Sequence, residues 1–216
     1  MIISKNRVPT CHLKIGQNHI EQVHKYTYLG TTINDQWDLS DEVRTRIGKA
    51  RAVFNNMNNL FKNHGLAMST KIRLLRCYVF STLFYGVETW TLTESLAKRL
   101  EAFEMWLYRI MLRIPWTSYV PNVEILRRMK KQKEVLTTVK ARKIQYLGHI
   151  MRNNNRYHLL QTILQGKIPG KRSVGRRRIS WFKNIRTWTC KTSTELFRAA
   201  SDRTNTAKMV ANARNG

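Results

Sequence analysis

The densest chemistry in this chain lies between positions 166 and 178, GKIPGKRSVGRRR, which hold six Lys/Arg, three Gly, one Pro and no acid. Glycines let a main chain approach phosphate oxygens closely, and guanidinium groups grip them two at a time. Lys167, Lys171, Arg172, Arg176, Arg177 and Arg178, with Lys183 just beyond, are therefore candidate contacts to a sugar-phosphate backbone. A nuclear-import address has a similar composition, and one loop can serve both purposes. Trp181 and Trp188 lie seven residues apart on one face of the helix that follows. Rings at that spacing either anchor a helix in a core or offer bases a surface to stack on.

Other groupings carry less. Asp35, Asp38 and Asp41 form a D-x-x-D-x-x-D run. Two-metal phosphoryl transfer needs carboxylates that converge on ions about 4 Å apart. These three fall instead in a turn entering a helix, where Asp is favoured by capping and by the helix dipole. His12, His19, His24, His64, His149 and His158 show no partner pattern and read as surface or cap residues. Cys11, Cys77 and Cys190 are too far apart for a metal motif and read as free thiols of a reducing compartment. No Walker-type loop, GxSxG elbow or HExxH helix is present. The residues themselves offer no catalytic group and no metal site.

The totals point to the same partner class. The 216 residues carry 39 Lys+Arg against 13 Asp+Glu, a formal charge of +26. Such an excess repels itself unless a polyanion neutralises it, so DNA or RNA is the expected partner. The imbalance is local as well as global. Between Glu134 and Glu195 there is no acid, but there are fourteen Lys/Arg, among them Lys140, Arg142, Lys143 and Arg152. No run of 18 apolar residues is present and MIISKNRVPTCHLKIG is too short a hydrophobic start for a leader, so neither a span nor a signal peptide is expected. No helix pairs a large exposed apolar face with a basic one, which argues against a membrane-surface role. The expected location is inside the cell, nuclear or cytoplasmic.

Positioning elements follow from periodicity. Residues 1–35 alternate as short strands: Met1–Ile3, then Leu13 and Ile15, Ile20 and Val23, and Tyr26 with Tyr28, with a turn at Gly16-Gln17-Asn18. They resemble the edge of a sheet whose remaining strands are absent. From Ser40, a good N-cap, Val43, Ile47, Ala50, Phe54, Met57 and Phe61 mark one helix face, which Asn63-His64-Gly65 ends. Ser69 is placed to cap a helix, apolar all round, that runs to about Gly86. Thr93 caps a third helix carrying Leu96, Leu100, Phe103, Leu107, Ile110 and Ile114, which Pro115 stops. Helices are expected over 121–131, 134–152 and 156–165. Ser180 caps the helix of Trp181, Phe182, Ile185 and Trp188, and Thr192 and Glu195 have capping-box spacing before a last helix around Leu196–Ala200. From Thr204 onward a weakly ordered tail is expected. The fold class is mainly α: a helical bundle with a short N-terminal β-hairpin and a basic helical extension.

In this order the segments resemble the C-terminal part of LINE-type (non-LTR) retrotransposon reverse transcriptases. MIISK is similar to the palm strand after the catalytic hairpin, and LKIGQNHIEQVHKYTYLGTTI to the hairpin that follows. EVRTRIGKARAVFNNM and LLRCYVFSTLFYGVETWTLT look like the thumb. RIMLRIPW, KIQYLGHIMR, GKIPGKRSVGRRRISWFKNI and ELFRAASDRTN resemble the region beyond it. The resemblance covers nearly the whole chain. It implies a palm remnant over 1–35, a helical thumb over 36–118, a helical connection over 119–165, and a basic loop with C-terminal helices over 166–216. It implies that Tyr28, Leu29 and Gly30 act as a primer grip, and that the thumb holds a template–primer duplex of RNA and DNA. The family's tyrosine-x-Asp-Asp hairpin, its upstream Asp and its fingers would precede Met1. No catalytic residue is carried over, and no cofactor is expected in this chain, because Mg²⁺ belongs to the full-length parent. The implied partners are the nucleic acid and the missing fingers-palm and endonuclease portions. The tryptophan of the family's ending is absent after Asp202-Arg203. A non-enzymatic, domesticated nucleic-acid-binding protein fits the same residues, and the reading frame upstream of Met1 separates the two.

Overall fold

Alternating residues at the N-terminus make hairpins, and the 3.6-residue periodicity after them makes helices. The structure is a computed structural model that describes residues 12–35, 39–169 and 180–215. Strands β1 (Leu13–Ile15) and β2 (Asn18–Ile20) pair antiparallel, as do β3 (Lys25–Tyr28) and β4 (Thr31–Asn34). They form two separate two-stranded sheets rather than one edge. β1, β2 and β3 are exposed throughout, and only β4 is half-buried. The expected strand at Met1–Ile3 lies outside the described residues.

The helices are α1 (Ser40–Asn56), α2 (Asn58–Lys62), α3 (Met68–Leu74), α4 (Ser81–Leu83), α5 (Glu94–Leu112), α6 (Asn122–Met129), α7 (Val135–Arg152), α8 (Asn154–Leu164), α9 (Trp181–Thr189), α10 (Ser193–Ser201) and α11 (Arg203–Asn215). The body is thus mainly α. The predicted face of α1 and α2 is the packed one: Val43, Ala50, Phe54 and Phe61 are buried, and Phe54 stacks on Phe61 at 4.4 Å. Thr93 caps α5 as expected, accepting from the Leu96 N–H at 3.3 Å. Ser180 caps α9, and Thr192 and Glu195 form the full capping box of α10.

Five local expectations are corrected. Ser40 is the first helical residue rather than the cap, because Leu39 precedes the helix without a side-chain cap. Ser69 lies inside α3, which begins at Met68 after an uncapped Ala67. The helix to Gly86 is also interrupted by a π-turn over Leu75–Phe80. A widened turn leaves carbonyls poorly paired, and hydroxyls answer them: Ser81 Oγ donates to Cys77 O at 2.6 Å and Thr82 Oγ1 to Tyr78 O at 2.9 Å. The circumference is not all buried, for Cys77 and Tyr78 face solvent. α5 ends at Leu112, before Pro115. Arg113 takes φ 57°, with its N–H on Ile110 O and that of Ile114 on Arg109 O, a Schellman ending. Ile114, next to the proline, is already disfavoured in the α region.

The largest correction is at the C-terminus. The tail expected to be loose is α11, whose Met209, Val210 and Ala213 are buried against α7. Weak propensity is overridden by packing, which supplies most helix stability in proteins. Gly148 permits the approach: a Cβ there would lie 2.7 Å from Arg152 Nη1 and 2.9 Å from Thr206 Cγ2.

Two apolar clusters result. The first joins α1–α6 and the start of α7 through Val135 and Val139. The second gathers Ala141, Ile144 and Leu147 of α7 with α9, α10 and α11. α7 is the axle of both. Not every apolar side chain is covered: Leu159 and Ile163 of α8 are exposed, with Arg156 beside them, and so are Trp116 and Tyr119 after α5. Among the described residues, no helix is long and apolar enough to cross a membrane.

Candidate nucleic-acid interface

The basic loop is bracketed by two well-formed structures. On its N-terminal side α8 closes with the Lys167 N–H on Thr162 O at 3.0 Å, and the Lys167 side chain is exposed. On its C-terminal side Lys183 stands exposed on the first turn of α9, its N–H held by Ser180 Oγ at 3.1 Å. Lys171, Arg172, Arg176, Arg177 and Arg178 lie outside the described residues.

α9 is fastened to the rest of the molecule by polar contacts that a linear reading could not reveal. Buried Asn184 pairs with the backbone of Leu92, accepting from its N–H and donating to its carbonyl, both at 2.8 Å. Trp181 Nε1 donates to Glu88 O at 2.6 Å. Lys143 of α7 is wholly buried. Its ammonium donates to Trp90 O at 2.6 Å and to Asn184 Oδ1 at 3.1 Å, and lies 5.1 Å from the ring centres of both Trp181 and Trp188. Burial pushes its pKa down to about 7, because desolvation disfavours the charged form. The two tryptophans are thus packing residues that flank a buried cation. Lys143, counted above among the cations of the acid-free stretch, is turned into the core rather than to the surface.

Two further cations of the acid-free stretch are also engaged. Arg142 reaches Phe84 O at 3.2 Å, and Arg152 donates to Ala200 O and Thr206 Oγ1, each at 3.1 Å. Arg156, Lys167, Lys183 and Arg186 remain exposed. α11 adds exposed Arg203, Lys208 and Arg214, which the expectation of a loose tail had left out.

The acids are organised in the other half. Glu104 of α5 is buried and accepts from the N–H groups of Glu134 (2.7 Å) and Val135 (3.3 Å) and from the Tyr108 hydroxyl (3.0 Å). It caps α7 from across the core. Desolvation raises its pKa, and raises that of Tyr108. Glu134 in turn accepts from Arg76, and Glu124 from Arg127 and Arg128.

Tyr28, Leu29 and Gly30 form the tip of the second hairpin. Leu29 (φ 47°) and Gly30 (φ 80°) are its two central residues, both left-handed, as a tight two-residue hairpin of this type requires. Leu29 O accepts from Tyr85 Oη at 2.7 Å, and Gly30 O from Arg46. Buried Glu42 holds Arg46 Nε and the Thr32 N–H, both at 2.7 Å. The tip is therefore docked on α1 and on the turn that follows α4, with the side chains of Tyr28 and Leu29 exposed. Of the aspartates, Asp35 meets His24 Nδ1 at 2.7 Å, whereas Asp41 pairs with Lys25 and Arg44. They serve separate local contacts, and Asp38 lies outside the described residues.

A transposon-derived relative matches this chain. Over 171 residues the chain is 29% identical to an uncharacterized transposon-derived protein of Caenorhabditis elegans. The match covers 77% of this chain and 61% of that protein, so the chain spans less than two thirds of its relative's length. No family model and no solved structure matches. The similarity is thus to transposon-derived sequence, over most of the chain.

Proposed function

We propose that this chain is the duplex-holding C-terminal part of a LINE-type reverse transcriptase. Its thumb-like first cluster and basic second cluster grip the sugar-phosphate backbone of a template RNA–primer hybrid, and neither supplies the polymerase carboxylates. The observation that carries the reading is the acid-free stretch from Val135 to Thr194, whose exposed cations flank a loop dense in arginine. Backbone recognition by charge and shape needs no base contact, which agrees with the inward packing of Trp181 and Trp188. The segment order described above and the transposon-derived relative support the retroelement assignment. In this reading the tip at Tyr28, Leu29 and Gly30 faces a primer end only when a palm is supplied, and Mg²⁺ acts on carboxylates outside this chain.

The test is the salt dependence of binding to an RNA–DNA hybrid. With about five phosphates neutralised by the loop, log K should fall against log salt with a slope near about −4 to −5. Replacing Arg176, Arg177 and Arg178 together by Gln should flatten it by roughly 2 to 3. An unchanged slope overturns the loop as the contact, and failure to bind either DNA or RNA at low salt overturns the function. The chain alone should incorporate no nucleotide with Mg²⁺; incorporation would overturn the assignment of the carboxylates elsewhere.

A further inference from the structure

A groove of about 350 Å³ runs between α7 and α11, bounded by Gln145 and Arg152 on one side and by Arg203, Thr206, Val210 and Arg214 on the other. Its charged lining consists of three guanidinium groups without a carboxylate. Asp202, the acid next to Arg203, accepts from the N–H groups of Thr204 and Asn205 and from the Thr204 hydroxyl, and so is engaged at the first turn of α11. Arg152 is fixed by Ala200 O and Thr206 Oγ1. Arg203 and Arg214 are exposed. They stand eleven residues apart on α11, which is three helical turns, so they project from nearly one line about 16 Å long. Between them Ala207 and Ala211 keep the floor of the groove low.

We propose that this groove is a second phosphate track, built of residues other than those at 166–178, that takes one strand of a nucleic-acid backbone lengthwise. The spacing favours a polymer over a mononucleotide: two guanidinium groups set about 16 Å apart along a helix are not both served by one phosphate, whereas the successive phosphates of one strand reach both. Cations at both ends match a repeating monoanion, and guanidinium suits phosphate oxygens better than ammonium does. The inference extends the proposed function to a further contact and rests on it, but it stands on different residues.

The experiment measures binding of the full chain to a 20-base-pair RNA–DNA hybrid by anisotropy across a salt series. R203Q/R214Q should flatten the log K against log salt slope by about 1.5 to 2, since each lost phosphate contact removes about 0.9. R203K/R214K should keep most of the slope, and melting of both variants should match the parent. K14Q/K25Q removes two exposed charges from the N-terminal hairpins, outside both clusters, and should change the slope by less than half as much. A parental slope in R203Q/R214Q, or an equal loss in K14Q/K25Q, overturns the groove. If R176Q/R177Q/R178Q flattens the slope while R203Q/R214Q does not, the proposed function stands and the groove falls. If the parent binds no nucleic acid, both fall. Displacement of the hybrid by poly-glutamate at equal charge concentration also overturns the groove, because it would mark an acidic protein as the occupant.

Discussion

The two apolar clusters are built around opposite charges. The first encloses a carboxylate, Glu104, satisfied by the N–H groups that open α7 and by Tyr108. The second meets α7 and α9 at a cation, Lys143, satisfied by a carbonyl, an amide oxygen and two indole faces. Each charge is buried where opposite partial charges are already fixed by the fold, which offsets part of the cost of desolvation, and burial still moves both groups toward their neutral forms. The difference shows how the acids are apportioned. The first half uses Glu42, Glu104, Glu124 and Glu134 to hold its own arginines and helix ends. The second half, without acids from Val135 to Thr194, holds Lys143 and Arg152 with backbone carbonyls, an amide oxygen, a hydroxyl and rings, and only Arg142 reaches a carboxylate, that of Glu88 at 3.9 Å. In the proposed function its outer cations, Arg156, Lys167, Lys183 and Arg186, meet an external polyanion.

That contrast can be broken from either side. Removing the buried carboxylate should have the largest effect: Glu104→Ala leaves the N–H groups of Glu134 and Val135 without this acceptor and the Tyr108 hydroxyl with Glu134 Oε1 at 3.5 Å, and should cost about 3 kcal/mol in chemical denaturation. An effect below about 1 kcal/mol would mean that Glu104 is not the cap of α7. In the second cluster, Gly148→Ala should destabilise by about 2 kcal/mol, typical of overpacking, and should abolish slow amide exchange in α11. An exposed helical glycine would instead gain about 1 kcal/mol from the same change.

The buried cation gives a pH signature. Folded Lys143 loses its proton near pH 7, whereas the unfolded chain keeps it to the usual lysine range. Between those limits the unfolded state binds more protons, so stability should rise with pH across that window. Lys143→Met should flatten the rise by one proton, about 1.4 kcal/mol per pH unit, in denaturation curves taken at successive pH values. Glu104 runs the other way. Its folded pKa is raised, so its contribution declines as pH rises from the unfolded carboxylate value through the folded one. Parallel pH profiles for parent and Lys143→Met would show that Lys143 stays charged inside the fold. The smallest effect should come from the capping box, where Thr192→Ala should cost about 1 kcal/mol in thermal melting and should leave hybrid binding unchanged.

Much of the helical frame was legible in the chain. The spacing of Leu96, Leu100, Phe103 and Leu107 marks a buried face, and Thr93, Ser180 and Thr192 are caps whose partners lie three residues away. Less legible were contacts made at long range. Nothing near Glu134 announces a cap supplied by Glu104 thirty residues earlier, and nothing near Lys143 shows that two tryptophans about forty residues on will close over it. The π-turn escaped because hydroxyls at Ser81 and Thr82 read equally well as ordinary helix surface.

The sequence by itself determined the mainly helical class, the short hairpins at the start and the segregation of positive charge, because periodicity, capping and charge are properties of neighbours along the chain. Only the tertiary structure decided which cations are buried and which face outward. It also ordered α11, since Met209, Val210 and Ala213 become a helix face once α7 presents Gly148 and a place to bury them. Burial is a property of what lies opposite in space, and the distance between partners along the chain does not encode it.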